Sequence, residues 1–169
     1  MGDCTNDTLT ITGADSVTHK NLPTNLCGIL SGHHIYLSVK NVNYVALTLK
    51  IASIGTQKWK MHIKQFASSQ TDYLAPRGCL QYFRQDMGTI TSFNSAGGSP
   101  EFLNDHMYSI CIAGNDAYCD VALSAHTFDL TGSSGSCSDS ITFGSNVACG
   151  SSLSFSTCNI LSNAWRSVD

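Results

Sequence analysis

Eight cysteines constrain this chain more than any other feature: Cys4, Cys27, Cys79, Cys111, Cys119, Cys137, Cys149 and Cys158. None stands in a Cys-x-x-Cys pair, so zinc ribbons and thioredoxin-type redox sites lack their ligand spacing. An even number of widely spaced cysteines in a polar, β-like chain reads as a disulfide framework, and such frameworks persist in oxidising compartments. The competing reading, reduced cysteines buried in a core, is common for single residues and uncommon in this number. The expectation is therefore a secreted, extracellular protein. The opening "MGDCTNDTLT" has no basic region and no apolar core, so any export signal has been removed or lies outside this numbering. One sequon, Asn6-Asp7-Thr8, makes Asn6 a glycosylation candidate and the chain a candidate glycoprotein.

Between the cysteines the pattern has period two. Ile35, Leu37 and Val39 alternate in "HIYLSVK"; Val45, Leu47, Leu49 and Ile51 do so in "YVALTLKIAS"; Trp59, Met61 and Ile63 do so in "KWKMHIKQF". Residues two apart on a strand share a face, so each segment is expected to bury one side and wet the other. "GTITSFN", "MYSICIA", "YCDVALSA" and "SITFG" come later, each bounded by Gly, Asn, Asp or Ser. No stretch sustains helical periodicity over three turns. One helical turn is expected in "SPEFLND", residues 99 to 105, with Ser99 as cap and Pro100 in the first position. Glu101 is the only glutamate, odd for a helical chain because Glu is a good helix former. The fold class expected is all-β, a disulfide-bonded antiparallel sandwich.

Charged residues make up 12% of the chain, about half the usual share of roughly 25%. The net charge of −3 carries no footprint for nucleic acid or an acidic membrane. No apolar run approaches the ~20 residues of a membrane helix. A boundary shows at "ASSQTDYLAPRG", residues 67 to 78, polar and broken by Pro76 and Gly78. "LTGSSGSCSDS" reads as a loop, because strands resume at once.

Beyond this boundary the chain carries a resemblance. "CLQYFRQDMGTITSFN", "MYSICI", "FDL", "CSDSITF" and "ACG" occur in the order of the CUB domain pattern. That pattern opens on a cysteine, runs through a Gly-Thr strand to Ser-Phe-Asn, and places a tyrosine shortly before a second cysteine. A third cysteine is followed closely by Asp, and the pattern ends in Cys-Gly. The wording most resembles CUB domains of arthropod secreted proteins and spans about residues 76 to 150. In the first block, "CTNDTLTI", "LCG" at 26 to 28, "GHHIYLSV" and "LTLKIAS…WKMHI" resemble the latter half of another such domain. The resemblance thus implies a CUB-like jelly roll in parts. Residues 1–68 would be the C-terminal part of a first domain, 69–78 a linker, and 79–169 a second domain incomplete at its end. Either the chain is a fragment or its tail strands, in "SSLSFSTCNILSNAWRSVD", are degenerate. Alternatively, the two half-patterns combine into one sandwich.

The resemblance further implies the pairs Cys4–Cys27, Cys79–Cys111 and Cys137–Cys149, leaving Cys119 with Cys158. Many CUB domains hold calcium through a Glu before the third cysteine, the Asp after it and an Asp in a late loop. Asp139 and Asp7 match the Asp after the third cysteine. The glutamate position after "FDL" is Thr131, a poor substitute for a carboxylate, and the first block's late loop "IASIGTQ" has no carboxylate. Asp129 contributes only if the strand register differs. No cofactor is expected, with Asp139, Asp129 and Asp7 as weak calcium candidates.

Catalysis has little support. His33 and His34 are adjacent, so on a strand they face opposite sides and cannot share a metal. Ser124, His126 and Asp129 provide pieces of a triad, but "TGSSGSC" is no nucleophile elbow. The chain is expected not to be an enzyme, hydrolysis being the least favoured reading. Among the aromatics, Tyr82, Phe83, Phe93, Tyr108 and Tyr118 gather in the second block, where strand packing is the bland account. Tyr82 and Tyr108 are nonetheless candidate binding residues. So are Trp59, Lys58 and Lys60, which with Lys64 form either a solvated strand face or a patch for an acidic glycan or protein. The function expected is recognition of an extracellular protein or glycan, without nucleic acid or membrane insertion. The alternative is self-assembly through exposed strand edges.

Overall fold

The computed structural model describes residues 3–15, 22–23, 25–52, 54–55, 58–95, 102–114, 118, 120–133, 136–158 and 167–168. Nearly every regular element is a strand. In chain order these are β1 (Thr8–Thr12), β2 (Asn25–Leu26), β3 (Ala46–Lys50), β4 (Cys79–Phe83), β5 (Ser109–Ile112), β6 (Asp120–Ser124), β7 (Gly132–Ser133), β8 (Ser136–Cys137), β9 (Ile141–Phe143), β10 (Asn146–Ala148), β11 (Ser154–Cys158) and β12 (Ser167–Val168). A single 3-10 turn, Thr71–Tyr73, is the one helical element among the described residues. The chain is thus an all-β, disulfide-bonded fold.

Strand order runs β2-β1-β3 in one sheet and β10-β9-β12-β5-β4 in another, with small pairs β11-β6 and β7-β8. All pairings are antiparallel except β4 with β5, which run parallel with Tyr82 opposite Cys111. A register shift between Cys79 and Gln81 interrupts that pair. Three bridges close among the described residues: Cys4–Cys27, Cys79–Cys111 and Cys137–Cys149. Cys119 lies outside the described residues, and Cys158 is described only as part of β11. Each bridge shortens the loop open to the unfolded chain, an effect typically worth about 2–4 kcal/mol.

The main core takes residues from both sides of the 67–78 stretch. Ile11 and Leu26 come from the first block, and Leu80, Phe93 and Leu103 from the second. Ile35, Leu37 and Val45 pack against them. A second cluster surrounds the Cys79–Cys111 bridge, where Tyr82 is buried with Tyr36, Ala75 and Ala113 against it. Polar contacts cross the same seam. The Tyr36 N–H donates to the Leu80 carbonyl at 2.7 Å. The Tyr82 N–H donates to His34 Nε2 at 3.1 Å, His106 Nε2 donates to the Asn25 carbonyl at 2.8 Å, and Asn104 donates to Asp3.

Gly28 shows how tight the seam is. Its φ of +75° lies where side-chain-bearing residues are strained, and a Cβ there would stand 1.9 Å from Asn94 Oδ1. That oxygen accepts the Ile29 N–H at 2.9 Å. The stretch between the blocks is also tied down: Ala75 packs on the second cluster, and Arg77 approaches the buried carboxylate of Asp15 at 3.9 Å.

Several expected strands are not ladders. Residues 33–39 belong to no strand but contact β4, with Ile35 and Leu37 half-buried and Val39 exposed. Residues 58–67 and 88–92 form no strand and pair with none among the described residues. In β3 the expected buried face is open, since Leu47, Leu49 and Ile51 are exposed. Alternation prepares two faces, but burial needs another element to arrive on one of them. Residues 99–101 of the helical turn expected over 99–105 lie outside the described residues, and residues 102–105 are not helical.

Candidate functional site

The surface of the first block is unusually apolar. Tyr44 is 71% exposed, Ile51 56%, Trp59 61% and Ile63 78%, with Leu47, Leu49 and Met61 also open. β3 ends its sheet, so its outer edge has no partner strand among the described residues. Lys58, Lys60 and Lys64 alternate with Trp59, Met61 and Ile63 along 58–64, and every one of these residues is exposed. Trp59 and Lys58, with Asp7, Leu9, Leu26 and Ile51, line an open depression of about 140 Å³.

Next to this stretch an aromatic ladder climbs from the interior to solvent. Tyr36 meets the buried Tyr82 edge-on at 6.1 Å and stacks with Phe66 at 6.5 Å. Phe66 stacks in turn with Tyr73 at 5.6 Å and an interplanar angle of 2°. Two cations lie against its outer rung: Lys64 Nζ is 5.2 Å from the Phe66 centroid and 5.5 Å from that of Tyr73, and Arg84 Cζ is 5.4 Å from Tyr73. Cation–π attraction of this sort is worth about 0.5–1 kcal/mol at an exposed site.

A scan against protein families matches the animal CUB domain over residues 76–161, just over half of the chain. The chain belongs to the animal CUB domain family. No curated protein and no solved structure matches it. CUB domains are typically non-enzymatic modules that mediate protein–protein interaction, and animal members are mostly extracellular. The three bridges fit that setting. Among the described residues no helix is long and apolar enough to cross a membrane.

Against this background the individual candidates separate. Tyr82 is 7% exposed and packs on the Cys79–Cys111 bridge. Tyr108 packs on the main core, its ring 4.9 Å from that of Phe93. Burial raises its hydroxyl above the usual tyrosine range, with a backbone hydrogen bond to Phe93 offsetting part of this. Tyr82 is thus buried and Tyr108 half-buried, each packed against a core cluster. Trp59, Lys58 and Lys60 remain at the surface. Tyr118 is exposed and donates to Asp86 Oδ2 at 2.7 Å, a bond that, with the carboxylate's charge, raises its hydroxyl. Asn6 is exposed beside β1.

His33 and His34 do face apart. His33 meets Phe93 edge-on, while His34 lies among Tyr36, Phe83 and the Tyr82 backbone. Burial, then the neighbouring His34, lowers the proton affinity of His33. No group of three His, Cys, Asp or Glu side chains that could hold a metal forms among the described residues. Asp7 Oδ1 accepts the Ala52 N–H at 2.8 Å, and Asp129 and Asp139 are not gathered with it. Ser124 and His126 are both exposed, and no hydrogen bond joins them to each other or to Asp129 among the described residues.

Sequence reasoning passed over Tyr73, Phe66 and Arg84. Tyr73 sits in the polar stretch that reads as a linker, and Arg84 comes directly after β4. Only the folded chain brings them to Lys64.

Proposed function

We propose that this chain is a secreted, non-catalytic CUB module that recognises another extracellular protein through the exposed face formed by β3 and residues 58–64. The observation that carries this reading is the run of open apolar side chains from Tyr44 to Ile63, interleaved with lysines. Monomeric proteins rarely leave a contiguous apolar patch of more than a few hundred Å² uncovered unless something docks there. Trp59 would anchor the partner, as Trp often does at interface centres, with Lys58 and Lys60 at its rim. The resemblance to arthropod secreted proteins, glycosylation at Asn6 and the Cys119–Cys158 pair belong to the same reading. The test is capture of extracellular proteins by the disulfide-intact chain, set beside Trp59→Ala. Loss of a specific partner in the variant is the expected result; an unchanged partner set would overturn the assignment of this face. A carbohydrate array run in parallel separates a glycan ligand from a protein one.

The unpaired outer edge of β3 favours a second reading, self-assembly by strand addition between copies. It requires a size in solution that grows with concentration. A monomer at every concentration removes it.

A further inference from the structure

Two exposed cations lie against one exposed ring without a carboxylate partner among the described residues. Lys64 Nζ and Arg84 Cζ both lie within 5.5 Å of the Tyr73 centroid. Among the described residues neither has a carboxylate partner; Asp72, the sequence neighbour of Tyr73, pairs with neither. An anion that reaches both cations would gain two charge-assisted contacts. The ring, 49% exposed, offers a flat apolar floor to whatever carries the anion.

The neighbouring main chain says what the carrier is. Residues 58 to 66 form no helix or turn, and among the described residues they belong to no ladder and make no backbone–backbone hydrogen bond. An extended polypeptide can pair with such a segment and place alternate side chains on one face. Ile63 at 78% and Leu74 at 38% exposure supply apolar contacts there, which a sulfated sugar chain covers poorly. We infer that Lys64, Tyr73 and Arg84 form the specificity point for an acidic side chain in an extended segment of the partner protein, laid along residues 58–66. This deepens the recognition reading and rests on it. It also commits to an acidic polypeptide over a second copy of the chain, which carries few carboxylates and a single glutamate.

The probe is a synthetic peptide of about twelve residues alternating Glu and Val, with a Lys–Val peptide and a sulfated polysaccharide as controls. Binding to the disulfide-intact chain is followed by calorimetry at low and moderate salt, with hydrogen exchange at the amides of 58–66. The expected result is binding of the acidic peptide only, weaker at higher salt, with slowed exchange along 58–66. Lys64→Gln and Arg84→Gln each weaken it about tenfold, the size of one charge-assisted hydrogen bond. Arg84→Lys falls between, because ammonium keeps the charge but not the planar stacking. All three positions are at the surface, and unchanged melting temperatures would establish that the variants fold.

Absent binding, or equal binding by the glutamine variants, overturns the inference. Preference for the sulfated polysaccharide overturns it in favour of a glycan, and self-association abolished by Arg84→Gln overturns it in favour of a second copy. The wider recognition reading is scored separately, by Trp59→Ala on captured proteins, so the two can fail independently.

Discussion

The seam around Leu80 and the stretch from Tyr44 to Ile63 are written in the same alphabet and end in opposite environments. Both alternate apolar with polar residues. At the seam, β4 arrives from the far side of the 67–78 stretch and covers Ile11 and Leu26, leaving Leu80 at 3% and Leu26 at 2% exposure. From Leu47 to Ile63 the apolar side chains at Leu47, Leu49, Ile51, Trp59 and Met61 stay open, and Ile63 stands at 78%. Alternation therefore measures readiness to be covered; topology decides what is covered within the chain. The remainder is surface that another molecule can cover.

That contrast is open to direct attack. Leu80→Ala should lose about 2–5 kcal/mol, as buried leucines do, whereas Ile63→Ala should change stability by less than about 0.5 kcal/mol. Chemical denaturation of both variants checks this, and similar losses would mean that the exposed stretch is buried in solution. Gly28→Ala should destabilise by about 2 kcal/mol, since φ is positive and the new methyl meets Asn94 Oδ1, the acceptor for Ile29. Restoring room with Gly28→Ala/Asn94→Gly should recover only part, because the cross-seam hydrogen bond stays lost. Gln81 is 2% exposed and its Oε1 has no hydrogen-bond partner among the described residues. Gln81→Met, similar in volume, should therefore raise stability by about 1 kcal/mol; a loss instead would mean that the amide is bonded after all.

The smallest effect is on pH dependence. His106 holds its proton less tightly than usual, because burial outweighs the opposing pull of its bond to the Asn25 carbonyl and of Asp105. Nδ1, where a second proton would go, is buried without a partner among the described residues. His33 shifts in the same direction. A base whose affinity is lowered by folding binds protons first in the unfolded chain. Its stabilisation is complete above the ordinary value of about 6.5 and is lost as pH falls through and below it. Unfolding midpoints at pH 7.5 and pH 5.5 should therefore differ, the lower pH being less stable. His106→Gln, which retains a donor for Asn25, should narrow the gap. An undiminished gap would assign the effect elsewhere.

Much of the fold was legible because its signals are local. Period-two patterning and the absence of helical periodicity point to strands, and the ordered "CLQYF…SFN…YSICI" stretch points to the family. The exposed face was half legible. Trp59 and its flanking lysines stand out in sequence, but the same alternation reads as a strand with Trp59, Met61 and Ile63 buried. Tyr82 looked like a ligand contact because sequence does not show that the Cys79–Cys111 bridge closes against its ring. Tyr73 and Arg84 were invisible as a pair, since their meeting at Lys64 depends on a turn, a strand and an extended segment folding onto one another.

The bridges have a further consequence for how the chain comes apart. Each of the three lies wholly on one side of the turn at Thr71–Tyr73, while the core and its polar contacts span both sides. A single proteolytic cut between Ala67 and Gln70, where the chain is exposed, would leave two pieces with no covalent link through these bridges. They would travel as one body in native solution and separate in denaturant without any reductant. Either half made alone would expose its share of the seam, so the two together make a natural pair for fragment complementation.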